Sequence, residues 1–254
     1  MRRVSCISIA PVKGSRLRHP ERVELTENGV IENRRFVIVG EDGRHLRSEP
    51  TKWPVLFTSA YDAAQEILRM TFPGGEVVEG SALALGEEVV TFIEPGPKRV
   101  EMRIVDGPWA EPLSRLAGRP VRLARPHQVG VPLTDPVTLL ADSSLARLER
   151  EAGQAIDPRR FRMLFTVAGC AEHEEDTWEG QLVRIGDAVI RITGPTDRCV
   201  VITRHPETGE RDLDTLRLIK GYRPMRGNHI DFGMFARVET PGAVSLGDAV
   251  EPLG

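Results

Sequence analysis

The stretch that decides the fold is Ile185-Gly186-Asp187-Ala188-Val189-Ile190-Arg191-Ile192. A glycine followed by an acidic residue favours a turn, because glycine accepts positive φ and a short carboxylate side chain bonds to nearby backbone. The apolar residues from 188 to 192 are typical of a strand that begins at that turn. The same pattern of an apolar residue, glycine, an acid, any residue and valine recurs at 85–89 and 246–250. Three such turns predict barrel-like β architecture in both halves of the chain.

The composition favours short strands over a helical bundle. The chain has 254 residues, of which 24 are glycine and 19 are proline. Together they exceed the roughly 12% that is usual in globular proteins, so the chain turns often. Strands are predicted at 4–9, 22–26, 36–39, 55–60, 68–72, 89–93, 101–105, 163–167, 188–192, 200–202 and 232–238. Helices are predicted at 109–116, 143–152 and 212–220, each followed by a glycine that ends it.

These elements predict a mixed, β-dominated fold of the α+β class. An N-terminal β-barrel-like domain is expected at residues 1–107, where the pattern is almost entirely that of strands. A second β-barrel domain with a few short helices is expected at 108–254, because the character of the sequence changes near Gly107. The boundary is soft and falls between Gly107 and Arg125.

Charge and cysteine content exclude several classes of function. The net charge is −3, which argues against bulk electrostatic binding of nucleic acid. Three cysteines without a close-spaced pair argue against a zinc ribbon or an iron–sulfur cluster, and their odd number fits a reducing compartment. No apolar segment approaches the ~18 residues that a membrane span needs. We therefore predict a cytoplasmic protein that binds neither nucleic acid nor a membrane.

The strongest candidate for chemistry is Cys199, in Gly194-Pro195-Thr196-Asp197-Arg198-Cys199. A glycine-proline loop that leads to a cysteine beside Arg198 is a place where a thiolate is stabilised. A thiolate is a ligand for soft metals or a nucleophile for sulfur transfer. Composition alone favours the alternative that Cys199 is a buried structural cysteine. Cys6 and Cys170 are predicted to be structural.

Several positively charged or hydroxyl-bearing side chains lie just before or just after predicted strands and helices. Arginine and lysine bind phosphate oxygens, so several of them could line one anionic pocket, although solvated surface charge is the simpler interpretation of each. The serines that open the second predicted helix could receive a phosphate, and a plain N-cap fits them equally well. The set comprises Lys13, Arg34, Arg35, Arg160, Arg162, Arg198, Ser143 and Ser144.

The ordered segments resemble the MOSC family in its two-part form, with an N-terminal MOSC-associated β-barrel domain. This form is shared by the mitochondrial amidoxime-reducing components and their bacterial relatives. The resemblance covers nearly the whole chain and rests on segments at 7–15, 28–36, 142–145, 160–162, 178–180, 196–203, 206–209 and 246–248.

The resemblance implies that the protein binds molybdenum cofactor, a molybdopterin, and does not use pyridoxal phosphate. It implies that Cys199 ligates the metal and that Lys13, Arg34 and Arg35 lie near the pterin phosphate. The Arg-Phe-Arg strand and the serine-rich helix start place Arg160, Arg162, Ser143 and Ser144 at the same cofactor. Three positions depart from the common pattern of the family, namely Gly14, Asn33 and Leu164.

Three functions follow from this resemblance. The first is a molybdenum-dependent oxidoreductase that reduces N-hydroxylated small molecules with electrons from a ferredoxin- or flavin-type reductase. The second is a sulfur-carrier or cofactor-handling protein in which Cys199 is a persulfide nucleophile. The third is a metal-free MOSC-like scaffold. A molybdopterin carries both a phosphate and a soft metal, so one ligand would account for the arginines and the thiol together.

Overall fold

A computed structural model describes residues 1–46, 52–83, 85–93, 98–127 and 135–253. Strands β1 to β17 are Arg3–Ile7, Arg22–Thr26, Gly29–Val30, Val37–Gly40, Thr58–Asp62, Ile67–Thr71, Val77–Ser81, Leu85–Ile93, Lys98–Val105, Val121–Pro126, Val137–Ala141, Phe165–Ala168, Leu182–Ile185, Ala188–Asp197, Asp231–Thr240, Gly242–Ser245 and Val250–Pro252. Helices α1 to α3 are Ala110–Ala117, Asp142–Ala152 and Thr215–Tyr222. The predicted mixed, β-dominated class is confirmed.

The largest sheet has seven strands and is nearly closed into a barrel. Its order is β1-β12-β11-β15-β14-β13-β17. Only the pair β11 and β12 is parallel among these described strands, and α2 forms the crossover between them. The two edge strands approach each other, since the amide of Val4 donates to the Asp248 carbonyl at 2.9 Å and that of Val250 to the Arg2 carbonyl at 3.1 Å. These bonds leave little free edge for aggregation.

The remaining strands form three smaller sheets, and strands cross the predicted boundary at residue 107. One sheet has the order β4-β10-β9-β8, so β10 pairs with strands of the N-terminal half. Conversely, β1 belongs to the large C-terminal sheet, and β2 pairs with β16. The other small sheet is β5-β6-β7. The two halves are therefore joined by exchanged strands as well as by the chain between them.

Two of the three repeated glycine-acid patterns form turns. Gly186 has φ of 56°, and a Cβ there would lie 2.5 Å from Oδ2 of Asp248, so only glycine fits this crowded turn between β13 and β14. Gly247, with φ of 85°, lies in the turn between β16 and β17. The third pattern does not form a turn, because residues 85–89 lie inside β8 at an irregularity in its pairing with β9.

Local signals also failed elsewhere. Strands β10, β11 and β13 were not predicted, and residues 55 and 56, which were expected in a strand, belong to a 3₁₀ helix. Residues 200–203 form a 3₁₀ helix and not a strand. Gly194 and Pro195 belong to β14, which tolerates the proline at bulges opposite β15. Helix α3 begins after Asp214, whose carboxylate accepts the amide of Arg217, and Gly221 lies inside it. By contrast, Gly118 and Gly153 end α1 and α2 in left-handed conformation, as predicted.

The described residues form four apolar clusters, of which the smallest packs between β4, β9 and β10. The barrel interior contains Ile7, Phe165 and Met234, and the N-terminal half packs around Trp109. A third cluster joins α2 and α3 to Phe161 and Phe232. No helix in the described ranges is long and apolar enough to cross a bilayer.

Candidate functional site

A cavity of about 270 Å³ lies where the N-terminal segments meet the C-terminal barrel. The N-terminal half contributes the turn at Lys13 and Gly14, Arg34, and the 3₁₀ helix Trp53–Leu56. The C-terminal half contributes residues 159–163 and the segment from Thr196 to Pro206. The cavity is therefore built from parts of the chain that are far apart in sequence.

Cys199 lies at the mouth of this cavity. It follows the end of β14 at Asp197 and immediately precedes the 3₁₀ helix Val200–Thr203. The side chain lines the cavity and is exposed. The alternative of a buried structural cysteine is therefore wrong, because the strand ends before Cys199 and leaves its thiol open to small molecules.

Arg198 is fixed in the cavity wall by main-chain acceptors. Its Nε donates to the Phe232 carbonyl at 2.7 Å and its Nη1 to the Phe161 carbonyl at 3.0 Å. Nη2 lies 2.7 Å from the sulfur of Met163. Burial lowers the pKa of Arg198 to about 9, and the nearby Cys199 opposes that shift. The guanidinium thus remains a cation at neutral pH.

Arg34 and Arg162 share an unusual backbone conformation. Their φ values are 54° and 52°, in the left-handed region that side chains with a Cβ rarely adopt. Nη2 of Arg34 lies 3.4 Å from the Arg162 carbonyl, and Nη2 of Arg162 donates to the Ser15 carbonyl at 2.7 Å. Burial lowers the pKa of both arginines, that of Arg162 to about 10. Such strain persists where surrounding structure holds it, and it clusters at functional sites.

Lys13 is the fourth cation of the cavity. Its amide donates to the Phe36 carbonyl at 2.8 Å, which ties the turn to the start of β4. Gly14 follows with φ of 94°, and a Cβ there would lie 3.1 Å from the Cβ of Pro54. The departure from the family pattern at Gly14 therefore suits a tight positive-φ turn. Burial and the charge of Arg34 lower the pKa of Lys13 to about 7.

These four cations, the cavity cations, are Lys13, Arg34, Arg162 and Arg198. Within the described part of the chain none of them forms a salt bridge with a carboxylate. Other arginines on the same wall are neutralised, because Arg159 pairs with Asp157 and Glu207. Arg160 pairs with Asp212 through two bonds of 2.7 and 2.6 Å. Unpaired buried charge is costly, so the cavity cations favour an anionic ligand.

Three predicted cofactor residues lie outside the cavity. Nη1 of Arg35 donates to the Pro126 carbonyl at 3.0 Å on the side of the N-terminal sheet. The hydroxyl of Ser143 donates to the Ala171 carbonyl at 2.8 Å. That of Ser144 donates to buried Glu175 at 2.9 Å. The start of α2 is thus occupied by protein groups and does not join the cavity cations.

The other two departures from the family pattern, Asn33 and Leu164, lie at defined positions in the fold. Oδ1 of Asn33 accepts the amide of Ala10 at 3.0 Å, so it fixes the chain just before the Lys13 turn. Leu164 is buried in the apolar interior of the barrel. Neither side chain lines the cavity, so neither substitution removes a cavity contact.

Sequence reasoning missed the apolar wall of the cavity. Trp53, Phe161, Met163 and Phe235 line it opposite or beside the cations. Phe161 stands between two of the quoted arginines, and the tertiary fold brings the other three side chains to the cavity. Among the described residues, no three histidine, cysteine, aspartate or glutamate side chains gather as a metal site. A metal here would rely on Cys199 and on ligands brought by a cofactor.

Comparison with known sequences identifies the family. The sequence model of the MOSC domain matches residues 125–251, which is half of the chain and includes Cys199. The chain belongs to the MOSC family. The predicted resemblance is confirmed at this level, and the MOSC match covers Arg162, Arg198 and Cys199 of the cavity.

Curated relatives extend the similarity beyond the MOSC domain. Mitochondrial amidoxime reducing component 2 of Rattus norvegicus is 26% identical over 97% of this chain and 82% of its own length. Mitochondrial amidoxime-reducing component 1 of Homo sapiens is 29% identical over 53% of this chain, and the alignment spans 44% of the human protein. Molybdenum cofactor sulfurase of Caenorhabditis elegans is 24% identical over 85% of this chain and 31% of its own length.

Proposed function

We propose that this MOSC protein is a molybdenum-cofactor-binding oxidoreductase that reduces N-hydroxylated small molecules with electrons from a partner reductase. The observation that carries the proposal is the meeting of four cations without carboxylate partners and one exposed thiol in a single cavity. The names of the rat and human relatives supply the substrate class.

The donor set fits molybdopterin. The cavity cations offer point charges and forked N–H donors to a phosphate, the arrangement that arginine-rich phosphate sites use. Cys199 offers the soft sulfur that a molybdenum centre accepts. Arg35, Ser143 and Ser144 are left out of the proposed contacts, because none of them lines the cavity. When bound, the cofactor would supply two-electron redox chemistry at the metal.

The residues of this chain would bind and orient the reactants. Arg198 is held by two main-chain carbonyls, so its position does not depend on the ligand. The apolar wall at Trp53 and Phe235 excludes water and offers a surface for the carbon skeleton of a substrate. Reduction of an N–OH group to N–H consumes two electrons and two protons and releases water.

The sequence favours an electron source outside this chain. The sequence contains no flavin or nicotinamide fingerprint, and its three dispersed cysteines cannot ligate an iron–sulfur cluster of the usual kind. A ferredoxin- or flavin-type reductase is therefore proposed as the partner, docking transiently at the open mouth beside Cys199. A cytoplasmic location belongs to the same proposal.

Metal and pterin analysis tests cofactor binding. Protein expressed in a molybdenum-replete host is expected to contain near-stoichiometric molybdenum and pterin. Cys199→Ser replaces a soft thiolate by a hydroxyl and should remove the metal and the activity while the protein stays folded. Cys170→Ser is the matched control and should keep the metal. A folded Cys199→Ser protein that is loaded with molybdenum and active would refute the role of Cys199.

Turnover with different reductants tests the need for a partner. Purified protein should reduce an N-hydroxylated substrate with a reduced viologen and not with NADH or NADPH. Adding a flavin-type reductase should restore the nicotinamide-dependent reaction. Turnover by the purified protein with nicotinamide alone would contradict the proposal.

A second candidate function is supported by the exposure of Cys199 and by the sulfurase relative. An exposed thiol beside Arg198 could carry a persulfide for a cofactor-handling reaction. Sulfane sulfur on Cys199 in protein that contains no molybdenum would favour this function. Absence of both metal and sulfane sulfur would favour a metal-free MOSC scaffold.

A further inference from the structure

A second thiol lies in a polar cluster away from the cavity. Sγ of Cys6 is 3.4 Å from Nδ1 of His19, and Oγ of Ser8 is 3.1 Å from the same nitrogen. Sγ of Cys6 and Oγ of Ser8 are 3.6 Å apart. Three polar atoms therefore form a compact triangle, and none of the three residues lines the cavity beside Cys199.

The backbone holds this triangle in place. Ile9 and Arg18 exchange two main-chain hydrogen bonds of 3.0 and 2.8 Å, which fixes the segment that carries His19 beside the end of β1. The pairing of β1 with β12 shifts between Val4 and Cys6. Val4 and Ile7 consequently both enter the barrel core, although strict alternation would separate them, and Cys6 is left partly exposed. Bulges of this kind re-aim a side chain and are frequent beside active sites.

The contacts within the triangle favour a thiolate–imidazolium pair. The hydrogen bond from His19, assisted by that from Ser8, lowers the pKa of Cys6, although partial burial and the charge of Asp142 oppose it. The contact with Cys6 raises the pKa of His19, while burial and the charge of Arg159 oppose that shift. Cys170 shows the opposite environment, because burial and nearby Glu174 and Glu175 raise its pKa to about 12.

We propose that Cys6, His19 and Ser8 form a reactive thiol site that undergoes exchange with low-molecular-weight disulfides such as glutathione disulfide. The Cys6 thiolate attacks one sulfur of the disulfide, so a bond from Cys6 to that sulfur forms and the original S–S bond breaks. The sulfur of Cys6 is oxidised, and the departing half is reduced. His19 gives its proton to the departing thiolate, which leaves as a neutral thiol.

Single-cysteine proteins test this site. Cys170→Ser with Cys199→Ser leaves Cys6 as the only thiol, and Cys6→Ser with Cys199→Ser leaves Cys170. Reaction with the neutral disulfide 2,2′-dithiodipyridine is followed from pH 5 to 10. The Cys6 protein should react with a midpoint below that of an ordinary thiol, and the Cys170 protein should react far more slowly at pH 7. Incubation with glutathione disulfide should add one glutathione to Cys6 by peptide mass.

Substitution of His19 tests whether the imidazole activates the Cys6 thiol or whether the thiol reacts only because it is exposed. In the Cys6 protein, His19→Gln should raise the midpoint. At pH values well below both midpoints, the rate should fall about threefold for each unit of that rise, because loss of thiolate outweighs its greater nucleophilicity. Ser8→Ala should raise the midpoint less, and His127→Gln should not change it.

Two results would overturn the proposal. An unchanged midpoint in both folded His19→Gln and folded Ser8→Ala proteins would overturn the proposal, as would equal rates for Cys6 and Cys170 at pH 7. If His19→Gln does not fold, the Ser8→Ala midpoint and the comparison with Cys170 decide. None of these measurements depends on molybdenum or on the proposed reductase activity.

Discussion

Arg198 and Phe161 contact each other twice. Nη1 of Arg198 donates to the Phe161 carbonyl at 3.0 Å, and the guanidinium carbon lies 5.5 Å from the centre of the Phe161 ring. The first contact fixes the direction of the charge, and the second covers one face of the guanidinium with an aromatic ring. The cation beside Cys199 is therefore positioned before any ligand arrives.

Arg198→Lys should destabilise the folded protein although the charge is kept. A lysine has one nitrogen and cannot bond both the Phe161 and Phe232 carbonyls in the geometry of the guanidinium. The expected loss is about 1–3 kcal/mol in the free energy of unfolding, measured with urea. Arg237→Lys is the control, because 70% of the Arg237 side chain is exposed, and it should change little. Equal effects of the two substitutions would show that the hydrogen bonds of Arg198 do not contribute to the free energy of unfolding.

Arg34→Gly should stabilise the cofactor-free protein. Glycine relieves the left-handed backbone at φ of 54°, and the substitution removes a desolvated charge that has no carboxylate partner. The expected gain is about 1 kcal/mol in unfolding free energy for protein from a host that makes no molybdopterin. Glu66→Gly is the matched control, since Glu66 also has positive φ but is ion-paired with Arg125. The control should lose stability, and a loss in Arg34→Gly would contradict the prediction.

Gly233→Ala should disturb the cavity wall at Met163. Gly233 has φ of 81°, and a Cβ would lie 2.7 Å from Cε of Met163 and 2.8 Å from the Leu139 carbonyl oxygen. Strain and crowding together should cost about 2–4 kcal/mol in urea unfolding. Gly153→Ala has similar strain at φ of 65° and open space around it, so it should cost only about 1–2 kcal/mol. If the two substitutions cost the same free energy of unfolding, the side chains around Met163 move aside for the added methyl group without a measurable cost.

Lys13→Met should alter how stability depends on pH. The pKa of Lys13 is about 7 in the folded protein, below the ordinary value for lysine. Between these two values the unfolded chain binds more protons, so this group makes unfolding free energy rise with pH, by at most about 1.4 kcal/mol per unit. The stability advantage of Lys13→Met over the unsubstituted protein should therefore be largest at pH 6 and shrink toward pH 9. A pH-independent difference in urea unfolding would rule out this titration.

Local sequence signals predicted much of the secondary structure. β2 was predicted at 22–26 and has those bounds, because alternation and the following Asn-Gly turn act within a few residues. The pattern did not distinguish a strand from a 3₁₀ helix at 200–203, since three apolar residues fit either element. It also ended α3 at Lys220, with Gly221 as the stop, whereas the helix continues to Tyr222.

The site was predictable in part. Cys199, Lys13 and Arg162 were each singled out by the local sequence and again by the family resemblance. Sequence could not separate Arg34 from Arg35, because the left-handed backbone at Arg34 is a tertiary effect that turns it into the cavity. Nor could it reveal that Asp212 neutralises Arg160 from 52 positions away.

The strand order of the barrel has a consequence for biosynthesis. During translation β1 emerges from the ribosome well over a hundred residues before its neighbour β12, and the edge strand β17 follows later still. Until β12 has been synthesised, the backbone donors of β1 have no partner strand in the barrel. Such long-range pairing slows folding. β1 is thus open to wrong pairing in the nascent chain until β12 emerges.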